Sequence, residues 1–127
     1  MENKKTLFQK IIDREIAAEI IYEDDKYIAI LDIFPKRPGH TLLITKEPFL
    51  WVYDVPYFGE YFEKAKEIGL HLKEKLGASY ISFQTFGTDV PHAHIHIVPF
   101  YEMKEEYTRE KPTQEELRSM RDKVRYE

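Results

Sequence analysis

The chain of 127 residues contains no cysteine and only five glycines. The absence of cysteine excludes a disulfide framework and any metal site built on thiolates. Acidic residues outnumber basic ones by 23 to 19, which gives a formal net charge of −4 at pH 7. This charge argues against a long nucleic acid as partner, because binding along a phosphate backbone needs a basic face. A small anionic ligand needs only a local pocket of donors, so this class of ligand stays open.

Long apolar runs are also missing. The longest uninterrupted stretches contain a few residues, whereas a membrane-spanning helix needs about 20. The first eight residues lack the apolar run of a signal peptide. We therefore expect a cytoplasmic protein without a membrane partner. The chain shows no internal repeat, and its 43% hydrophobic and 14% aromatic residues suffice for a core, so we expect a single domain over residues 1–127.

The pattern of apolar residues and turn signals predicts an α+β domain with a five-stranded, mainly antiparallel sheet. The predicted strands are residues 19–22, 27–31, 40–45, 80–84 and 92–98. The predicted helices are a short one over about 6–15, a long central one from Asp54–Pro56 to Leu76, and a charged tail helix opened by Thr113. Residues 1–5 are expected to be disordered or extended, and residues 101–127 to form a C-terminal extension that carries the tail helix.

Helical spacing also predicts which side chains are buried. The expected stripe of the central helix is Phe58, Tyr61, Phe62, Ala65, Ile68, Leu72 and Leu76. The tail helix offers a narrower stripe of Leu117, Met120 and Val124. His71 lies on the predicted central helix and is most simply a surface residue.

The most informative segment carries three histidines, His92, His94 and His96, at alternate positions. Alternate side chains of a strand lie on one face, so the three rings are expected to project together, roughly 6.7 Å apart. Such a row could be a hydrogen-bonded ladder, which needs a partner for every ring. It could be a zinc site with an open fourth position. It could also attack phosphorus and move protons, because imidazole is a nucleophile that titrates near neutral pH.

Three further blocks precede the row: residues 6–16 (TLFQKIIDREI), 21–35 (IYEDDKYIAILDIFP) and 38–46 (PGHTLLITK). Together with the row, their order and spacing resemble the histidine triad (HIT) family, in its Hint branch. The resemblance covers about Thr6 to Phe100. It implies a HIT-like fold and a nucleotide hydrolase, and therefore favours the third interpretation of the row.

The resemblance also implies a role for each histidine. His94 would attack the α-phosphorus of a nucleotide and form a nucleotidyl-histidine, which water would then hydrolyse. His92 and His96 would hold phosphate oxygens and help to move protons to the leaving group. His40 would hydrogen-bond within the same cluster.

The same resemblance assigns residues to the nucleotide. Asp32 would accept hydrogen bonds from the ribose hydroxyls, although it also suits a turn before Pro35. The wall of the base would comprise Leu7, Phe8, Ile11, Ile30 and Ile33, for which plain core packing is the alternative. The loop between the last two strands opens with Gln84, which we assign to the nucleotide site. Thr88 stands where the family has a phosphate-contacting glutamine, and Asp89 stands where a small hydroxyl residue is common.

No cofactor and no metal are expected, because Thr6, Gln9 and Pro48 occupy the positions of the zinc ligands that some relatives carry. The implied substrate is a purine nucleoside phosphoramidate. Dinucleoside polyphosphate hydrolysis, nucleotidyl transfer, a nucleotide-binding regulatory module with little turnover, and metal-dependent hydrolysis are the alternatives. The resemblance further implies a homodimer that pairs through the central helix and a sheet edge.

Overall fold

The computed structural model describes residues 5–102 and 111–126 of the chain. The five strands within these ranges are β1 (Ile20–Glu23), β2 (Tyr27–Leu31), β3 (Thr41–Thr45), β4 (Tyr80–Gln84) and β5 (His94–Phe100). The helices are α1 (Leu7–Ile12), α2 (Phe58–Leu76) and α3 (Gln114–Val124), with a short 3-10 helix at Val52–Asp54. Residues 1–4 of the predicted N-terminal arm and 103–110 of the predicted extension lie outside the described residues. None of the described helices combines the length and apolarity needed to cross a membrane.

The strands form one sheet in the order β1-β2-β3-β5-β4, and every neighbouring pair is antiparallel. This arrangement confirms the predicted α+β domain. The strand that carries the histidines, β5, lies between β3 and β4 rather than at an edge. Its position is therefore fixed by hydrogen bonds on both sides.

The two faces of the sheet have different coverings. On one face α2 buries the larger core, to which β5 contributes Ile95 and Ile97. On the other face α1 packs over a smaller cluster, which consists of Phe8, Ile11, Ile28, Ile30, Leu42 and Ile44. His94 and His96 alternate with the two isoleucines, so they lie on the face of the smaller cluster. They pair with Ile44 and Leu42 of β3.

The histidine strand begins two residues later than predicted, at His94 instead of His92. The N–H of His92 donates to the carbonyl of Val90 at 2.7 Å, which closes a three-residue turn around Pro91. This turn places His92 before the strand. Its side chain therefore does not follow the alternation of strand faces that the prediction assumed.

The central helix also begins later than predicted, at Phe58. Residues 52–54 form a separate 3-10 turn, and Val55 is extended at φ −72° and ψ 116°, as expected for a residue that precedes a proline. Phe58 is 45% exposed, so its inclusion in the buried stripe was wrong, whereas Tyr61, Ala65, Ile68 and Leu72 are buried as predicted. The helix ends at Gly77, whose φ of 68° is left-handed.

The tail helix α3 packs on α2 and β1, and the predicted residues Leu117 and Val124 are buried. A contact with His71 of α2 stabilises its last turn. The His71 Nε2 lies 2.8 Å from the carbonyl oxygen of Val124, and the ring of Tyr126 lies 4.4 Å from the His71 ring. His71 is therefore half-buried beneath α3 rather than a freely exposed surface residue, because the prediction considered α2 without the helix that partly covers it.

Candidate active site

His94 lies near the start of β5, where one of its ring nitrogens is held by the backbone. Its Nδ1 is 2.7 Å from the carbonyl oxygen of His92. A carbonyl can only accept, so Nδ1 carries the proton and Nε2 keeps a lone pair. Among the described residues no group hydrogen-bonds to this Nε2. The Phe8 ring meets the imidazole edge-on, with centroids 4.8 Å apart, and limits its rotation.

His92 is turned into the protein. Its Nε2 lies 2.6 Å from the carbonyl oxygen of Thr45, and its Nδ1 makes a longer contact of 3.4 Å with the Thr6 hydroxyl. The same hydroxyl accepts from the N–H of Gln9 and thereby caps α1. Both ring nitrogens of His92 are thus occupied by the protein. The expectation that His92 holds a phosphate oxygen does not fit this geometry, because its carbonyl, rather than its ring, acts on His94.

His40 and His96 are linked in a chain that starts at the backbone. The N–H of Lys36 donates to His40 Nδ1 at 3.0 Å, so the proton of a neutral His40 lies on Nε2. This Nε2 is 2.9 Å from His96 Nδ1, which must then accept. The remaining proton of His96 is therefore on its Nε2. That nitrogen is buried and has no hydrogen-bond partner within residues 5–102 and 111–126, which leaves a donor available for a ligand.

Burial keeps these imidazoles neutral. It lowers the pKa of His40 to about 3, with further contributions from His96 and Lys36. It lowers the pKa of His96 to about 4, again with help from neighbouring His94 and Lys36. The pKa values of His92 and His94 are also lowered, chiefly by desolvation. For His94 the carboxylates of Asp89 and Asp32 oppose this effect, since a nearby negative charge favours the imidazolium.

Asp32 lies beside His40 at the mouth of the cluster. Its Oδ1 accepts from the N–H of Phe34 at 2.8 Å, which is the turn role considered from the sequence. Its Oδ2 lies 3.6 Å from His40 Nε2, too far for a hydrogen bond. Burial raises the pKa of this carboxyl group. One carboxylate oxygen thus satisfies the turn, and the other faces the histidine cluster.

The expected base wall divides into two groups. Phe8, Ile11 and Ile30 are buried in the smaller cluster, so the core alternative holds for most of their surface. Leu7 and Ile33 are 46% and 44% exposed and have apolar surface left for a ligand. Of the buried group, Phe8 alone has a ring contact with His94.

Gln84 lies directly across from His96 in the β4–β5 register. Its Oε1 accepts from Lys36 Nζ at 2.6 Å, and its Nε2 donates to Ser82 Oγ at 3.1 Å. Lys36 was not selected from the sequence. The available signal was a cation between Asp32 and His40, in the short segment that joins two of the motif blocks.

The loop that follows Gln84 carries Thr88 and Asp89, and both are exposed. Its path depends on Gly87, whose φ is 74° and whose Cα approaches Trp51 so closely that a Cβ would lie 3.0 Å from the indole. Phe86 turns its ring toward His96, with centroids 6.0 Å apart. Thr88 therefore lies at the rim of the site, while Phe86 was missed from the sequence.

One group of side chains has the composition of a metal site. Ligand atoms of Asp32, His40 and His96 lie within 4.8 Å of one another, and a carboxylate with two imidazoles suits several divalent metals. A cation bound there would have to replace the proton between His40 and His96. The predicted alternative of a zinc ion on the three-histidine row does not fit, because both nitrogens of His92 contact other groups.

Comparison with known proteins identifies the family. The profile of the HIT domain matches residues 13–103. An uncharacterized HIT-like protein of Mesomycoplasma hyorhinis is 36% identical over 110 residues, which cover 77% of this chain and 95% of the relative. A Hit-like protein involved in cell-cycle regulation from Bartonella henselae has a similar structure, with a TM-score of 0.88 at 30% identity over 98% of this chain and 96% of that one.

A hypothetical histidine triad nucleotide-binding protein from Sulfolobus tokodaii gives a TM-score of 0.84 at 29% identity, over 93% of this chain and 88% of that one. The chain therefore belongs to the HIT domain family. Its antiparallel five-stranded sheet with three helices is the fold of these structures.

The buried cluster predicts that stability falls in mild acid. The pKa values of the four imidazoles in the folded protein lie below 6.5. Below pH 6.5 the unfolded chain therefore binds more protons than the folded chain does. The free energy of unfolding should therefore be at its full value above pH 6.5 and decrease from pH 6.5 to 5. Urea unfolding at several pH values measures this slope.

The variant His96→Asn should flatten the slope, whereas His71→Asn, outside the cluster, should preserve it. A slope of zero for the unchanged protein between pH 6.5 and 5 would contradict the neutral cluster.

Proposed function

We propose that the chain is a nucleotide hydrolase that cleaves the bond between the α-phosphate and its leaving group through an intermediate on His94. The observation that carries this proposal is the contact of His94 Nδ1 with the carbonyl of His92. It directs the lone pair of the imidazole to Nε2, to which no described residue hydrogen-bonds. An imidazole held in this way is a competent nucleophile toward phosphorus.

The reaction proceeds in two displacements. The Nε2 lone pair of His94 attacks the α-phosphorus, and the leaving group departs with the electron pair of the broken bond, taking up a proton from solvent where it is an amine. Water then attacks the same phosphorus, passes a proton to solvent, and returns the P–N electron pair to Nε2, which releases the nucleoside monophosphate. The N–H of His96 donates a hydrogen bond to an oxygen on which charge develops. Its buried and unpartnered position makes this hydrogen bond stronger than it would be in water.

The nucleotide itself is proposed to lie across the mouth of the cluster. The Oδ2 of Asp32, which accepts no hydrogen bond in the described part of the chain, is suited to a ribose hydroxyl, and the exposed parts of Leu7 and Ile33 are suited to a purine. A purine nucleoside phosphoramidate is the substrate class that we propose on the family resemblance. Dinucleoside polyphosphate hydrolysis and nucleotidyl transfer would use the same nucleophile and differ in the leaving or accepting group.

The proposal predicts that His94→Ala lowers turnover of adenosine 5′-phosphoramidate by roughly three orders of magnitude or more, while nucleotide binding persists. Two displacements also predict net retention of configuration at a chiral α-phosphorus. Hydrolysis of a stereochemically pure α-phosphorothioate substrate in ¹⁸O-labelled water measures this outcome, because the labelled oxygen makes the phosphorus of the product chiral. Inversion would reject the covalent route, and equal rates for the two proteins would favour a binding module.

We also propose that two copies pair through the β4 edge and α2. Among the described residues β4 pairs with β5 alone, so one side of its backbone is open to a partner. Phe83 of this strand is 42% exposed and lies against Gly69 of α2, where a Cβ would be 3.0 Å from its ring. An exposed aromatic residue on an open edge is a feature that pairing would bury.

This dimer predicts that Phe83→Lys converts the protein to a monomer in sedimentation equilibrium at micromolar concentration. Ile16→Lys, at an exposed apolar position that precedes β1, the strand at the other edge of the sheet, is the matched control and should remain dimeric. A monomeric unchanged protein under the same conditions would reject the proposal.

A further inference from the structure

The first helix of the chain begins at a residue that also reaches the histidine motif. The hydroxyl of Thr6 accepts from the backbone N–H of Gln9 at 3.1 Å and caps α1. The same oxygen lies 3.4 Å from His92 Nδ1. Two residues further along, the Phe8 ring meets the rings of His92 and His94 edge-on, with centroids 6.1 Å and 4.8 Å apart. The start of α1 therefore contacts both His92 and the proposed nucleophile.

The hydrogen bonds around His92 fix which atom donates in each contact. The Thr45 carbonyl can only accept, so the proton of a neutral His92 lies on Nε2, 2.6 Å from that oxygen. His92 Nδ1 then keeps a lone pair that needs a donor. His92 is 1% exposed, and among the described residues the Thr6 hydroxyl alone lies within hydrogen-bond distance of Nδ1. This hydroxyl has one hydrogen, which it donates to His92, while its lone pairs accept from Gln9.

The position of the His92 ring matters because the backbone of the same residue orients His94. The carbonyl oxygen of His92 accepts from His94 Nδ1 at 2.7 Å. His92 precedes β5 and lies outside its ladder of hydrogen bonds. Single hydrogen bonds to the carbonyls of Val90 and Phe49 hold the peptide groups on its two sides. The contacts of the ring supply the rest of the anchoring, so a displaced ring changes the direction of the carbonyl that holds His94.

We propose that Thr6 is a positioning residue for the nucleophile: its hydroxyl holds the His92 ring, and the His92 carbonyl in turn aligns His94. This inference rests on the proposed nucleotide hydrolysis at His94. Because the same hydroxyl caps α1, and α1 carries Phe8 against His94, the start of this helix and the orientation of the nucleophile are set together. The role of Thr6 is indirect, since its hydroxyl contacts end at His92 and Gln9.

The variant Thr6→Val tests this role, because valine has the shape of threonine without the hydroxyl. With adenosine 5′-phosphoramidate as substrate, kcat should fall about 3- to 10-fold, the range expected for loss of one hydrogen bond. KM should stay within about twofold, because a misaligned nucleophile weakens the transition state and leaves binding of the nucleotide unchanged. Thr6→Ser keeps the hydroxyl and should recover most of kcat.

Thr113→Val is the matched control. Thr113 caps α3 in the same way, by accepting from the N–H of Glu116 at 3.0 Å, and α3 packs into the core on the α2 side of the sheet. Both valine variants lose a helix cap and should lose similar stability in urea unfolding, but only Thr6→Val should lose kcat. If Thr6→Val fails to fold, Thr6→Gly replaces it, since glycine is tolerated at the N-cap and also lacks the hydroxyl.

The imidazole ¹⁵N NMR signals of His92 separate a positioning role from simple capping of α1. In the unchanged protein the Nδ1 signal should report an accepted hydrogen bond, and the Nε2 signal an attached proton. In Thr6→Val the Nδ1 signal should move toward the position of a lone pair without a partner. The Nδ1 proton of His94 should exchange faster with water in the same variant.

Three results would overturn the proposal: unchanged kcat in a folded Thr6→Val, an equal loss of kcat in Thr113→Val, or an unchanged Nδ1 signal of His92. Failure of the proposed function is distinguishable from these results. The unchanged protein would then turn over the phosphoramidate no faster than His94→Ala does, while the His92 signals would still respond to Thr6→Val.

Discussion

The site depends on backbone groups that fix the proton of each imidazole. The carbonyl of His92 holds the proton of His94 on Nδ1, and the N–H of Lys36 forces the proton of His40 onto Nε2. The second constraint passes through the His40–His96 hydrogen bond, so that His96 also presents an N–H. Backbone amides do not titrate, and the assignment of nucleophile and donor is therefore independent of pH as long as the rings stay neutral.

Burial of this cluster destabilises the free protein, and a bound ligand can offset that destabilisation. A buried donor without a partner, such as the Nε2 of His96, destabilises the free protein by about 1–3 kcal/mol. A phosphate oxygen would remove this cost and would supply the negative charge that the neutral rings lack. The lowered pKa values of His40 and His96 belong to the same balance, because low solvation disfavours both imidazolium ions and an unpaired donor. The structure is thus more receptive to an anion than to a proton.

Much of the fold follows from local rules that the sequence displays. Alternation along β5 placed His94 and His96 on one face because the isoleucines between them must enter the core under α2. Capping residues located the helix starts at Thr6 and Thr113, where side-chain oxygens accept from backbone N–H groups. The end of α2 was predictable in the same way, since Gly77 adopts a left-handed conformation that other residues rarely adopt.

The parts of the site that were missed depend on contacts between distant segments. His92 leaves the row because a turn around Pro91 precedes the strand, and because Thr45 of another strand offers its carbonyl. Lys36 reaches Gln84 across 48 positions of sequence, a distance that no periodicity reports. Only part of the predicted base wall is accessible, for a similar reason. The helix α1 packs over the sheet and buries part of the surface that was assigned to a ligand.

The most direct test of the proposed mechanism is to locate the nucleotidyl group on the His94 ring after brief mixing with a substrate. Phosphorus–nitrogen coupling in the NMR spectrum of the ¹⁵N-histidine-labelled, trapped intermediate distinguishes the two ring nitrogens. The account predicts attachment at Nε2, because Nδ1 is occupied by the His92 carbonyl. Attachment at Nδ1, or on a different histidine, would contradict the hydrogen-bond assignment on which the mechanism depends.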